Sequence, residues 1–281
     1  MMRRWVRRFL RNRQALAGAL IVLMFASTAL FAPILAPHSP STQNLREDLH
    51  PPRADHLFGQ DKLGRDVLSR VIYGARVSLL VGLLVVGIAG TVGLFIGAVA
   101  GYAGGRVDEL LMRLVDILLA FPGIVLAIGL SAVLGPSLRN VLLALSVIGW
   151  TGYARLVRGE VLAWREREFV TAAVALGAEP VRVLARHIIP QLLAPLLVQA
   201  TFGMAGAIVA EASLSFLGLG VQPPTPSWGA MVNEGRSFLL IAPHIALFPG
   251  LAIMLTVLGL NLLGDGLRDV LDVRNTVTSD K

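Results

Sequence analysis

The stretch TAAVALGAEPVRVLARHIIP, residues 171–190, lies between two long apolar runs and carries charge in a chain that is otherwise poor in it. At its start, small and apolar residues recur at the spacing of one helix face: Phe169, Ala172, Ala173 and Leu176. Gly177 follows at once, and glycine readily adopts the left-handed conformation that ends a helix. The pattern predicts a short helix that stops at Gly177.

A second short helix is predicted directly after the first. Pro180 suits the first turn of a helix, where its missing N–H costs nothing. Apolar residues then repeat the same spacing up to Pro190, which we expect to end the segment: Val181, Leu184, Ala185 and Ile188. Two short helices joined by a sharp elbow are the result.

The composition assigns the chain to a bilayer. Hydrophobic residues make up 55% of its 281 residues and charged residues 15%, against roughly 25% charged residues in an average soluble domain, and the mean hydropathy is +0.70. The net charge of +7 would suggest a nucleic-acid partner in a soluble protein, but here it must be read loop by loop, and we expect none. Cysteine is absent, which excludes disulfide and thiolate chemistry.

Six segments are apolar and long enough to cross the membrane as helices, given that about 20 residues span its core. They cover residues 15–35, 77–101, 114–134, 141–156, 192–214 and 245–263. The first run is longer than the roughly 7–15 apolar residues of a secretory signal, so we expect it to be retained as a span. The sequence therefore predicts an all-α integral membrane protein with one six-helix domain, residues 15–263.

The distribution of Lys and Arg predicts the orientation of these spans. With the N-terminus inside, residues 1–14, 102–113, 155–191 and 264–281 are cytoplasmic, and they hold 17 of the 25 basic residues. This bias follows the positive-inside rule. We expect a basic cytoplasmic N-terminus (1–14), a cytoplasmic loop at about 157–191 that contains the elbow, and a cytoplasmic C-terminal tail (264–281).

The residues alone leave two interpretations of the elbow open. It could be a polar turn that lies on the membrane surface. It could also dock a soluble partner, because Ala172, Ala173 and Gly177 allow close approach while Arg167 and Glu168 supply contacts at the rim. Periodicity does not choose between them.

The elbow resembles the EAA loop of permease subunits of bacterial ABC importers. That pattern runs Glu-Ala-Ala, three residues, Gly, then Pro thirteen residues further on, and Ala172, Ala173, Gly177 and Pro190 match it. Thr171 stands where the pattern has Glu, with Glu168 one turn earlier as a substitute. The resemblance implies that the loop enters a cleft of an ATPase and assigns the contact to nine residues: Glu168, Phe169, Thr171, Ala172, Ala173, Leu176, Gly177, Ala178 and Pro190.

Further stretches extend the resemblance over nearly the whole chain, among them FGQDKLGRDVLSRVIYGARVSL, AEASLSFLGLGVQPPTPSWG and NLLGDGLRD. Together they look like the second permease of the dipeptide/oligopeptide/nickel importer family. The resemblance implies a multi-pass protein of the bacterial inner membrane that forms half of a translocation pathway with a second permease. It also implies two cytoplasmic ATPases, an extracytoplasmic binding protein, and short peptides as cargo, with nickel, glutathione or another small solute as alternatives.

No catalytic, cofactor or metal site is expected in this chain. It has no G-x-x-x-x-G-K-[ST] phosphate loop, so ATP and Mg²⁺ must be bound by partner subunits. The five His residues show no short metal-ligand spacing, and Asp61 with Asp66 offers too few oxygen ligands for a hard cation. A self-contained secondary transporter would carry inverted repeats and ion-coupling acids, and an intramembrane enzyme would need a nucleophile with a base or a metal cluster.

Each of three further sequence features has two possible structural interpretations. Gly93, Gly97 and Gly101 form a small-residue ridge that packs either within this chain or against the sister permease. Glu211, at the outer end of the fifth span, either lines the pathway or forms a buried hydrogen bond with Ser213, Ser215 or a neighbouring helix. The Pro-rich loop at 218–239, with Pro224, Pro226 and Trp228, either meets the binding protein or caps the bundle.

Overall fold

The protein is all-helical in the computed structural model, which describes residues 8–271. Residues 1–7 of the predicted basic segment and residues 272–281 of the predicted tail lie outside the described residues. Within them, strand-like pairing is limited to two isolated bridges, Arg53 with His56 and Gln60 with Asp66. The α-helices are α1 (Arg13–Leu30), α2 (Ala32–Leu35), α3 (Val67–Ala103), α4 (Gly105–Leu119), α5 (Gly123–Leu134), α6 (Leu138–Arg165), α7 (Glu168–Ala175), α8 (Pro180–Val183), α9 (Ile189–Phe216), α10 (Trp228–Arg236) and α11 (His244–Leu271).

Five helical runs are long and apolar enough to cross a bilayer: α1, α3, α6, the continuous run Pro180–Phe216, and α11. The sixth candidate is the pair α4 and α5, whose axes differ by 81° across a short break. With 12 residues, α5 is about 18 Å long and too short to cross a roughly 30 Å core alone. The six predicted spans are confirmed when this bent pair counts as one.

The third predicted span, 114–134, is wrong as a continuous helix. It breaks between Leu119 and Gly123, because Pro122 has no N–H to donate and the residue before a proline disfavours the helical conformation. The first predicted span, 15–35, likewise breaks at Phe31, two residues before Pro33. In both cases a proline inside an apolar run marks the break in the sequence.

The fourth predicted span, 141–156, is too short at both ends. α6 begins after Ser137, whose Oγ accepts a hydrogen bond from the Asn140 N–H at 3.2 Å. It continues to Arg165, and two arginines in this extension pair with acids of α4. Arg158 donates twice to Asp108, at 2.7 and 2.6 Å, and Arg155 donates to Asp116 at 2.7 Å.

The centre of the fold is a close seam between α3 and α6. A Cβ added at Gly93, Gly97 or Gly101 would lie closer than 3.0 Å to atoms of α6, including backbone atoms of Ala154 and Arg158. Residues spaced at four form one continuous face of α3, so the helices touch along three turns. The ridge therefore packs within this chain, which decides between its two interpretations.

Candidate functional site

The elbow has the predicted form, two short helices around Gly177. Gly177 has φ +83°, a conformation that costs a residue with a Cβ about 1–2 kcal/mol. Its N–H donates to the Val174 carbonyl at 2.9 Å, and the Ala178 N–H donates to the Ala173 carbonyl at 3.0 Å. These two bonds complete a Schellman motif at the end of α7. Pro180 then begins α8, as predicted.

The expected end of the segment at Pro190 is wrong. The chain stays helical from α8 through a π-helical turn, Leu184–Ile188, into α9. In this turn the Ile189 N–H donates to the Leu184 carbonyl, five residues back. A π turn widens the backbone just where Pro190 would otherwise crowd the carbonyl four residues before it. The elbow is therefore joined to α9 without an intervening loop.

The inner face of the elbow is fixed to the membrane-spanning helices by buried apolar contacts. Its residues are Val170, Val183 and Ile188, each at most 1% exposed. They form one cluster with residues of α3, α6 and α9: Ala98, Val157, Val161 and Leu192. In addition, Arg165 Nη1 donates to the Gly101 carbonyl at 3.0 Å, from the end of α6 to the end of α3. The elbow is thus packed directly against α3, α6 and α9.

The outer face of the elbow is apolar and uncovered within this chain. Leu176 is 89% exposed, Val181 75% and Phe169 43%. The predicted stripe of Phe169, Ala172, Ala173 and Leu176 is thus directed outward. Val174, 50% exposed, lies off that stripe, one turn after the buried Val170. We refer to Phe169, Leu176 and Val181 as the outer apolar face.

The other predicted coupling residues differ in exposure. Glu168 begins α7 and Pro190 lies in the first turn of α9, and both are exposed. Thr171 is exposed, and its hydroxyl donates to the Arg167 carbonyl of its own helix at 3.3 Å. Ala178 is half-buried against the cluster beneath the elbow. A depression between the elbow and the end of α3 is lined by Tyr102, Arg165, Glu166, Val170, Thr171 and Val174.

Glu211 is fully buried and does not line an open path in this chain. Its Oε1 accepts from the Ser215 hydroxyl at 2.7 Å, and Ser215 Oγ accepts from the Val221 N–H at 3.2 Å. Ser213, the other predicted partner, donates instead to the Val209 carbonyl. The geometry therefore favours the buried hydrogen bond, through which Glu211 fixes the loop that follows α9.

Of the two interpretations of the Pro-rich loop, the surroundings of Trp228 favour the cap that closes the bundle. Trp228 is 0% exposed; its Nε1 donates to the Val71 carbonyl at 2.9 Å, and its ring meets Phe25 edge-on at 5.7 Å. An indole with its N–H satisfied is stable in the interior, so it caps the bundle. Pro226 is buried with it, and Pro224 is exposed.

A buried ionic network at the same end of the bundle went unnoticed in the sequence. Arg65 donates to Asp61 at 2.6 Å and to Glu234 on α10 at 2.8 Å. Arg70 pairs with the same two acids at 3.4 and 3.3 Å. Nearby, the hydrogen bond from Arg53 lowers the pKa of the Glu47 carboxyl. Arg65 and Glu234 are 169 positions apart, so no local pattern could have paired them.

Comparisons with known proteins agree with this architecture. Residues 93–277 match the family model described as "Binding-protein-dependent transport system inner membrane component". Residues 1–52 match "N-terminal TM domain of oligopeptide transport permease C". The fold is similar to that of the MetNI methionine ABC transporter in inward-facing conformations, with a TM-score of 0.60, 19% identity, and coverage of 72% of this chain and 97% of that chain.

Two relatives are similar over nearly their whole length. The dipeptide transport system permease protein DppC of Alkalihalophilus pseudofirmus is 47% identical over 262 residues, 93% of this chain and 86% of the relative. The glutathione transport system permease protein GsiD of Escherichia coli is 47% identical over 267 residues, 95% of this chain and 88% of the relative. The chain therefore belongs to the family of binding-protein-dependent transport system inner membrane components, as a multi-pass permease subunit of the dipeptide and oligopeptide type of ABC importer.

Proposed function

We propose that this chain forms half of the translocation pathway of an ATP-driven importer of short peptides, and that its elbow, residues 168–190, receives the movement of a cytoplasmic ATPase. The observation that carries the proposal is the outer apolar face, uncovered in this chain and mounted on a rigid base. A docking contact needs an apolar centre with a polar rim, and the exposed Arg167 and Glu168 provide that rim.

Transmission follows from the continuity of the helices. α6 leads into the elbow across two residues, and α9 leaves it without a loop. Because closely packed interiors deform little, closure of an ATPase around the outer apolar face would shift α6 and α9 together. Alternating access would then arise from two arrangements of the permease pair, each stabilised by one state of the ATPases.

A groove along α9 supports the half-pathway. It is lined mostly by apolar side chains: α9 contributes Phe202 and Val209 together with smaller residues, α5 contributes Ile124, and α11 contributes Val257 and Asn261. Gly206, Ala210 and Ser213 lie on this side of α9. The groove is open toward the outside of the chain, as half of a pathway would be, and a second permease would close it.

We also propose the orientation and the division of labour implied by the sequence. The basic N-terminus, the elbow and the C-terminal tail face the cytoplasm, since most Lys and Arg residues lie in these segments. ATP and Mg²⁺ bind to two ATPase subunits, and this chain performs no catalysis and holds no cofactor of its own. A binding protein would approach the opposite end, where Pro224 is exposed.

The cargo assignment rests on the relatives. One is named for dipeptide transport and the other for glutathione, and both cargoes are short peptides. Uptake of a labelled dipeptide, glutathione and Ni²⁺ in cells with and without the gene distinguishes the candidates. Loss of Ni²⁺ uptake alone would contradict the peptide assignment.

The docking role is tested by charge substitution on the outer apolar face. Leu176→Arg places a cation in the centre of the proposed contact without straining the backbone, whose φ there is −81°. Gly177→Arg places a cation at the turn itself, where φ +83° adds a backbone cost of about 1–2 kcal/mol. Leu176 would be buried in the complex with the ATPase, and losing that contact removes about 1.5–3 kcal/mol of binding free energy. The complex of this chain with the ATPase should therefore be at least tenfold weaker.

The measurement is co-purification of the tagged full-length chain from native membranes, with mass spectrometry and a transport assay. We expect both variants to retain the second permease and lose the ATPases. The matched control is Leu240→Arg, a fully exposed leucine beyond α10, at the opposite end, which should keep both partners. A Leu176→Arg protein that holds its ATPases and transports normally would refute the docking role. A wild-type chain that purifies alone would favour a self-contained transporter.

A further inference from the structure

Two histidines and an aspartate meet at the end of the bundle opposite the elbow. α3 has 37 residues and is about 55 Å long; its far end packs against the elbow, and its first turn begins after Asp66. The Nδ1 atoms of His56 and His38 lie 2.8 and 3.8 Å from Asp66 Oδ1. One ligand atom from each of the three residues lies within 4.8 Å of the other two.

The carboxylate of Asp66 divides its two oxygens between different tasks. Oδ2 accepts the Ser69 N–H at 2.7 Å and the Ser69 hydroxyl at 2.6 Å, and so caps α3. Oδ1 faces the two imidazoles. The His38 N–H also donates to Ser69 Oγ, at 3.1 Å. Such outer hydrogen bonds hold metal ligands in orientation, and here a single serine fixes both the carboxylate and the backbone of His38.

The separations suit a small divalent cation. Ligand bonds of about 2.0–2.2 Å in a tetrahedral site bring ligand atoms roughly 3.3 Å apart. The two measured distances, 2.8 and 3.8 Å, bracket that value. The ring centroids of His38 and His56 lie 4.5 Å apart, so the two imidazoles are neighbours at the same carboxylate. His38 is 42% exposed on its side chain, which gives a metal access from solvent.

We propose that His38, His56 and Asp66 bind one divalent transition-metal cation of the Zn²⁺ or Ni²⁺ class. Two imidazole nitrogens and one carboxylate oxygen match the ligand preference of these ions, whereas Ca²⁺ and Mg²⁺ prefer oxygen alone. The site departs from the expectation drawn from the sequence, because intervals of 18 and 10 residues do not form a recognisable metal motif. It is independent of the proposed cargo and of the elbow.

The consequence of binding is a clamp on the loop between α2 and α3. His38 follows α2, His56 lies in the middle of the loop, and Asp66 caps α3. A cation would join all three and close a segment of 28 residues. A cation that binds the folded loop in preference to the unfolded chain stabilises the fold by mass action, so the metal is expected to raise Tm.

The test uses the full-length chain in its native assembly, purified with a tag that contains no histidine and stripped with a chelator. Equilibrium dialysis against Zn²⁺ or Ni²⁺, with metal counted by mass spectrometry, compares wild type with His38→Ala and the His38→Ala/His56→Ala pair. Background binding to other subunits cancels in this comparison. His50→Ala, a histidine of the same loop outside the cluster, is the control.

We expect wild type and His50→Ala to bind one more cation per chain than the double variant, and His38→Ala to bind it at least tenfold more weakly. Zn²⁺ should raise Tm in wild type and leave it unchanged in the double variant. X-ray absorption should detect two imidazole ligands. Equal metal content in wild type and the double variant overturns the proposal, as does competition by equimolar Mg²⁺ or Ca²⁺. Because His38 is partly exposed, its variant folds even if the pair does not.

Discussion

Substituting Gly97 by alanine probes the seam between α3 and α6. The added Cβ would lie closer than 3.0 Å to the Ala154 carbonyl oxygen and to Val157 Cβ. The first of these atoms belongs to the backbone of α6 and cannot rotate away. α3 must therefore move from α6 by about 1 Å, at an overpacking cost of about 1–3 kcal/mol.

Alanine also gains about 1 kcal/mol of helix propensity over glycine, so the steric cost needs a reference. Gly87→Ala supplies it, because Gly87 lies on the same helix and a Cβ added there meets nothing within 4 Å. The difference between the two variants isolates the contact. With Tm shifting about 2–4 °C per kcal/mol in a protein of this size, Gly97→Ala should unfold roughly 2–12 °C below Gly87→Ala.

The assay is thermal unfolding of both full-length variants in the same detergent, followed by tryptophan fluorescence and by the monodisperse fraction on gel filtration. Gly93→Ala serves as a second variant of the same seam. If Gly97→Ala and Gly87→Ala unfold at the same temperature, α3 and α6 are not in backbone contact. The ridge would then be free to meet the sister permease instead.

Two further substitutions concern the opposite end of the bundle. Trp228→Phe keeps an apolar ring but loses the hydrogen bond to α3, and should lower the free energy of unfolding by about 1 kcal/mol. The control is Trp164→Phe, at a partly exposed position, which should not lower Tm as much. An unchanged Tm for Trp228→Phe would contradict the capping role. Arg65→Met leaves Asp61 and Glu234 with one cation fewer and should lower the free energy of unfolding by about 3–5 kcal/mol. Adding Asp61→Asn should recover part of that loss, as measured by urea unfolding. If the effects of the two single substitutions simply add in the double variant, the network is contradicted.

Local chemistry explains why the elbow was predictable. Gly177 and Pro180 act within one turn of their own positions, so the break and restart of the helix can be derived from the sequence. The same reasoning predicted a wrong end at Pro190, because the π turn Leu184–Ile188 accommodates this proline. No residue in that turn indicates in the sequence that the helix widens there. The break at Pro122 carried an equally local signal, which the surrounding apolar run concealed.

Residues at the other end of the bundle depend on partners far away in the chain. Trp228 is buried because α3 and α1 surround it, and its sequence context of prolines and glycines is that of an exposed loop. Likewise His38, His56 and Asp66 converge only after the loop folds back on α3. The number of spans follows from hydropathy, whereas their breaks and ends do not, and side-chain pairing across helices requires the tertiary structure.

The seam between α3 and α6 has a consequence for biosynthesis. Gly97 and the α6 residues it contacts are about 60 positions apart, with α4 and α5 between them. At 5–20 residues per second, the ribosome needs roughly 3–12 s to deliver α6 after α3 has emerged. During that interval the glycine face of α3 has only lipid or the insertion machinery beside it. We therefore expect the glycine face of α3 to stay unpaired until α6 arrives, and truncation before α6 to expose this face to quality-control proteases.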